Sequence, residues 1–388
     1  MRWRWVLFVL AAAVLVWLEA STLPSHVPLA LQIMDELREP GPGSWLQRAT
    51  SPPRVRSTTL EAEGMRFAAD VYEPAGGRYC EPLLLVPGMV PEGKDEPRVP
   101  PFARALARAG FLVVVPSLPS FQSLVVQPAN VRELAAALEA TTRQRDLAPR
   151  GRTGVFGVSF AGGIALLAAL DPAVAPRISF LVTMGAYADL DSTLAFLATG
   201  RTFVRGRAHK VAPDPYSQLV FVRTYEQFLP RSRDQELLEA MSVRRYQDPD
   251  APLAGLADSL SPAGRLPYDL FVAARPTEVP ALLAQLPPEL ERRMAALSPA
   301  RHDFSRLRTE LFLAHAWDDG TVPVGETWRL ARQARPHTRV HLVLLRTVGH
   351  VEPEPWHRNP RRFLTEDLPE AWRLAWWLCG LLAERGEA

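Results

Sequence analysis

Residues 154–163 read Gly-Val-Phe-Gly-Val-Ser-Phe-Ala-Gly-Gly, and the way this stretch passes from one element to the next decides the fold. Gly154 to Val158 carries no charge and has the length of a strand buried on both faces, whereas Ala161 to Leu170 reads as a helix ended by Asp171-Pro172. Ser159 stands at the junction. A turn that sharp forces the serine into a strained backbone conformation, so only Gly or Ala fits two residues away on either side. Gly157 and Ala161 occupy those positions. The strain lifts the hydroxyl out of the sheet at a helix N-terminus, where the dipole and unpaired N–H groups favour a developing negative charge.

The same alternation continues outward. Thr58 to Tyr72 alternates with period two and predicts an edge hairpin around Glu63-Gly64. Leu83 to Val86, Phe111 to Val115, Ile178 to Met184, Leu311 to His315 and Val340 to Leu345 are short apolar runs that predict buried strands. Helices are predicted over residues 101–109, Val131 to Thr142, Val324 to Ala334 and Ala371 to Ala383. This pattern predicts an α/β fold with a mostly parallel, doubly wound sheet whose ligands bind beyond the carboxyl ends of the strands. The rhythm breaks at residues 189–305, where helical patches punctuated by prolines predict an insertion without strands. The expected organisation is an N-terminal segment (1–20), a linker (21–56) holding one short amphipathic piece from Leu29 to Leu37, a core in two parts (57–188 and 306–388) and a largely helical cap (189–305).

A serine hydroxyl is a poor nucleophile at neutral pH and needs a base oriented by an acid. Past the strand ending at His315 comes Ala316-Trp317-Asp318-Asp319-Gly320-Thr321-Val322-Pro323. An aspartate in a loop between strand and helix can turn its carboxylate back toward the serine. Asp319 is the preferred acid and Asp318 the alternative. Past the last strand comes Thr347-Val348-Gly349-His350, where Gly349 allows a bend that hangs His350 over Ser159. His341 falls inside the strand, His357 lies further along a polar loop, and His315 reads as a structural residue at a strand end. Two backbone N–H groups, of Phe160 and of Met89 in the loop Pro87-Gly88-Met89-Val90, are the expected donors to an oxyanion.

Together these features resemble the α/β-hydrolase superfamily over residues 57–188 and 306–385, and most closely its esterase- and dienelactone-hydrolase-like members. The resemblance implies a Ser-Asp-His site for acyl transfer at the carboxyl edge of the sheet, with neither metal nor cofactor, and implies that the insertion is a cap. The D-x-x-V-P form of the acid loop is what favours Asp319 over Asp318. The implied substrate is a small-molecule ester. An acyltransferase, an amide or C–C bond hydrolase, and a catalytically silent binding protein are the alternatives on the same fold.

Composition bounds the rest. Of the 388 residues 47% are apolar and 22% charged, with a net charge of +2, which gives no reason to expect a nucleic-acid partner. Cys80 and Cys379 are far apart and show no metal-binding spacing. Arg2 and Arg4 precede the uncharged apolar run Trp5 to Leu18, the pattern of an export signal. Trp3, Trp5 and Trp17 at its two ends suit an uncleaved membrane anchor equally well. Either form predicts a catalytic domain outside the cytoplasm. Phe196, Phe203, Leu219, Phe221, Tyr225, Phe228, Leu283 and Leu286 supply the insertion with apolar side chains, mostly for its own core and partly for an apolar acyl or aryl group.

Overall fold

A computed structural model describes residues 25–38, 41, 43–76, 81–230, 233–248, 250–273, 275–349 and 359–385. The apolar runs join in one eight-stranded sheet. Its strands are β1 (Arg54–Ala62), β2 (Met65–Glu73), β3 (Pro82–Val86), β4 (Leu112–Pro116), β5 (Thr153–Val158), β6 (Ile178–Met184), β9 (Glu310–Ala316) and β10 (Val340–Leu345), in the spatial order β1-β2-β4-β3-β5-β6-β9-β10. β1 and β2 run antiparallel around Glu63 and Gly64, both at positive φ (51° and 74°), a two-residue turn that matches the twist of the strands. β2 pairs antiparallel with β4, so β1 alone is the edge of the predicted edge hairpin. Every remaining pairing is parallel.

The strands are apolar throughout because both faces are covered, and alternate residues serve opposite layers. Leu84, Val86, Val155, Leu311 and Leu313 pack with α3 (Pro128–Arg143), α4 (Phe160–Leu170) and α10 (Val324–Ala334). Leu83, Leu85, Phe156, Phe312 and Ala314 pack with α1 (Val27–Arg38), α2 (Val99–Arg108) and α11 (Leu368–Ala383). Full burial of one such side chain stabilises the fold by roughly 1.5–3 kcal/mol. In the closing helix α11, Trp377 meets Phe312 edge-on at 6.0 Å and donates its indole N–H to the His341 carbonyl at 3.3 Å. Cys379 is a buried thiol of that helix, and Cys80 lies outside the described residues.

Two expectations need correction. The described part of the predicted linker is folded: α1 buries Ala30 and Ile33 against the core, and a short helix at Trp45–Ala49 buries Leu46 completely. The segment between β6 and β9 also holds strands, a small antiparallel hairpin of β7 (Arg201–Val204) and β8 (Arg207–Lys210). Otherwise that segment is helical, chiefly α5 (Leu190–Thr199), α6 (Pro215–Tyr225), α7 (Arg233–Gln247), α8 (Pro262–Tyr268) and α9 (Pro288–Ala296). It has a core of its own, in which Leu194, Phe221, Leu238, Leu266 and Leu290 are buried.

Charged groups fasten the first of these helices to the sheet layer. Asp189 caps α5 by accepting from Ser192 N at 3.0 Å, and Arg301 Nε donates to its other oxygen at 3.0 Å. Glu326 of α10, raised above the usual carboxylate range by burial, accepts from Ala188 N and Asp189 N at 3.0 and 2.7 Å. Burial would raise the Asp189 carboxyl too, but the Ser192 N–H and the Arg301 guanidinium outweigh it and hold it below its usual range. A carboxyl depressed in this way stabilises the fold above its unfolded-state pKa and loses that contribution as pH falls through the folded-state value. Arg301→Ala is therefore expected to lower the unfolding free energy at neutral pH by about 1 kcal/mol, a modest figure because the arginine is partly solvated. Urea unfolding should show the deficit shrinking in acid; a deficit equal at both pH values would clear Asp189 of the effect.

Candidate active site

β3 lies between β4 and β5, so the strand order reverses there and the loops leaving β3 and β5 face one crevice. The loop after β5 carries Ser159, which heads α4 at φ 55° and ψ −128°. That conformation costs a non-glycine residue on the order of 1–3 kcal/mol, and the surroundings enforce it. Ser159 N donates to Met184 O at 2.6 Å and its carbonyl accepts from Gly162 N at 2.9 Å. A Cβ at position 157 would lie 2.7 Å from Gly162 Cα and 2.8 Å from the Ala161 carbonyl, so packing demands glycine there and accepts alanine at 161. The sequence pattern had allowed either residue at both places.

The loop after β3 approaches as closely. A Cβ on Gly88 would lie 3.3 Å from Ser159 Cβ and 3.4 Å from the Val158 carbonyl. The next residue, Met89, joins Ser159 and Phe160 in the wall of a cavity of about 110 Å³. Phe160 is the first residue of α4, and N–H groups of a first helical turn have no partner within the helix. Its ring stacks on Tyr187 at 5.1 Å, and Tyr187 OH donates to Leu297 O at 2.7 Å. The far wall is apolar and comes from the inserted segment, with Leu194 and Leu197 of α5, Val220 and Phe221 of α6, and Leu290 and Met294 of α9. Of the eight apolar side chains singled out from the sequence, Phe221 alone lines the cavity; Phe203 is 67% exposed on β7.

Asp318 and Asp319, adjacent in the chain, have opposite surroundings. Asp319 is fully buried; its Oδ1 accepts from the N–H groups of Thr321 and Val322 at 2.8 and 3.0 Å, and its Oδ2 lies 3.3 Å from His315 Nε2. Asp318 is exposed and turns toward the hairpin, with Oδ1 3.0 Å from His209 Nε2. Thr321 and Val322, held by Asp319, line the cavity beside Ser159. His315 is buried at the end of β9, with Nε2 2.8 Å from the Val322 carbonyl and Nδ1 2.6 Å from Thr327 Oγ1, and it is not among the lining residues. His341 stacks on Phe312 at 4.4 Å within the sheet layer. His350 and His357 lie outside the described residues.

Two contributions from the inserted segment escaped the sequence reading. Tyr216 OH donates to Met89 O at 2.6 Å and so holds the Met89–Val90 peptide of the loop after β3. Asp214 binds the acid loop twice, accepting from Thr321 Oγ1 at 2.9 Å and donating its N–H to Gly320 O at 2.8 Å. A Pro-Tyr pair opening a helix carries no local mark of either contact. Among the described residues no cluster of His, Cys, Asp and Glu could hold a metal ion.

The strand order, the parallel core and the strained serine between β5 and α4 make this the α/β-hydrolase fold. No family model matches the chain, and neither does any curated protein. Similar solved structures are hydrolases. Brefeldin A esterase, a bacterial homologue of human hormone-sensitive lipase, is 15% identical with a TM-score of 0.48, over 94% of this chain and 86% of its own. The esterase rPPE is 14% identical with a TM-score of 0.47, over 87% of this chain and 85% of its own. An acylaminoacyl peptidase from Pyrococcus horikoshii is 11% identical with a TM-score of 0.48; 85% of this chain matches it but spans only 41% of that protein.

Proposed function

We propose that the protein is a serine hydrolase that cleaves carboxylic esters with an apolar acyl or aryl group. The observation that carries the reading is a serine at positive φ on the floor of an apolar cavity, at the head of a helix. In the proposed cycle His350 takes the Ser159 proton as Oγ attacks the ester carbonyl, and Asp319 orients the imidazole. The tetrahedral oxyanion receives the N–H groups of Phe160 and Met89. Its collapse expels the alcohol, which leaves with the proton from His350. Water, deprotonated by the same histidine, then attacks the acyl-enzyme, and release of the carboxylic acid restores Ser159. His350 enters from the sequence, through its place after β10.

Because the wall supplied by the inserted segment is mostly Leu, Val, Phe and Met, with Thr193, Ser217 and Thr224 among them, p-nitrophenyl esters of increasing chain length should show KM falling with each added methylene until the cavity is full. A flat series, or a preference for charged acyl groups, would remove the apolar assignment.

The run Trp5 to Leu18 lies outside the described residues and supports export or anchoring of the enzyme outside the cytoplasm. No helix among the described residues is long and apolar enough to cross a membrane. Extraction with alkaline carbonate should leave an anchored form in the membrane pellet and a cleaved one in the soluble fraction. A full-length product recovered in the cytosol would contradict both.

A further inference from the structure

Away from the apolar cavity, and sharing no lining residue with it, a cleft of about 360 Å³ opens between α10, β10 and the start of α11. Arg205, Arg335, Arg346 and Arg373 surround Trp317 and Trp328 there. The Arg346 guanidinium lies 4.6 Å from the ring centre of Trp317, and Arg205 and Arg335 lie 4.4 and 5.8 Å from that of Trp328. Among the described residues, Arg205, Arg335 and Arg346 have no carboxylate within ion-pair distance. Arg373 has Glu370 at 4.0 Å. Glu370 is the one acid in the lining, and its Oε1 is engaged by the N–H groups of Arg346 and Thr347, both at 2.8 Å.

Four guanidinium groups and one engaged carboxylate leave this cleft strongly positive on a molecule whose total charge is only +2. Like charges gathered this closely repel one another, and an anion relieves the repulsion. Stacking on an indole holds a guanidinium plane in place while leaving its N–H edges free, which preorganises it for an oxyanion. A carboxylate saturates one arginine fork, whereas a phosphate offers oxygens to several at once. The volume falls in the range of small-molecule sites, roughly 300–1,000 Å³.

We propose that this cleft is a second binding site, for a phosphate-bearing ligand held by Arg205, Arg335 and Arg346. The phosphate could belong to a soluble phosphate ester or to the headgroup of an anionic phospholipid. The test uses the full chain, sn-glycerol 3-phosphate in calorimetric titration, and flotation with vesicles of phosphatidylcholine alone or with one-fifth phosphatidylglycerol. Saturable binding of glycerol phosphate identifies a soluble ligand. Extra binding to the phosphatidylglycerol vesicles, without binding of glycerol phosphate, identifies a lipid headgroup. In either case Arg205→Ala/Arg346→Ala should weaken binding at least about tenfold, the loss expected for charge-assisted hydrogen bonds. Both arginines are exposed, so the variant should keep its circular dichroism spectrum and its ester turnover. The proposal is overturned if neither probe binds, if the double variant binds as well as the parent, or if acetate at equal ionic strength competes as strongly as phosphate.

Discussion

Ser159→Ala is expected to lower ester turnover by roughly 10⁶ and to abolish labelling by a fluorophosphonate probe, with the fold intact. The size of the effect follows from the proposed role of the hydroxyl: without it no acyl-enzyme would form, and the remaining donors could only polarise a carbonyl for attack by water. Alanine is a permissible probe because Ser159 makes its structural bonds through the backbone, N to Met184 O and O to Gly162 N, and these survive the change. The strained φ of 55° survives too, so any loss of stability should be small beside the loss of rate. His350→Ala is expected to cost about as much, since nucleophile and base act as one unit and either loss disables it. Single-turnover assays with p-nitrophenyl butyrate measure both. A Ser159→Ala protein that still labels would sink the serine-hydrolase reading, and a His350→Ala protein with near-normal rates would move the base elsewhere.

The parts of the fold that were legible in the sequence share one property: local pattern and tertiary burial agree. β6, α10 and β10 have the predicted limits because strands covered on both faces must be apolar throughout, and because Pro323 and the polar turn before Val340 mark clear boundaries. The hairpin of β7 and β8 was invisible for the converse reason. Its strands are four residues long, Arg-Thr-Phe-Val and Arg-Ala-His-Lys, and only Thr202 and Val204 are buried, so neither period two nor a continuous apolar run emerges in the sequence. α1 reads as an isolated amphipathic piece because its partner, α11, lies at the other end of the chain. Around Ser159 the sequence marked the loops after β3, β5 and β9, since strand-end glycines have local signatures, while the position proposed for His350 lies outside the described residues. The sequence could not mark Tyr216 or Asp214, whose contacts exist only once the inserted segment docks on the sheet edge.

The two aspartates at the end of β9 supply the other large effect. Asp319→Asn is expected to lower turnover by roughly 10⁴, whereas Asp318→Asn should change it less than about twofold. The asparagine oxygen can still accept from Thr321 and Val322, so the acid loop keeps its shape. The negative charge that orients and stabilises an imidazolium is lost, and in its place stands an amide whose NH₂ favours the wrong tautomer. Burial makes the difference large: Asp319 is wholly removed from water, which cannot screen or replace its charge, while the side chain of Asp318 is 66% exposed beside His209. The loss should fall on kcat with little change in KM, because nothing in the apolar wall of the cavity beside Ser159 has moved. Equal losses in the two variants, or a larger one in Asp318→Asn, would transfer the acid to the exposed neighbour and leave the buried carboxylate as a brace for the loop that carries Thr321 and Val322.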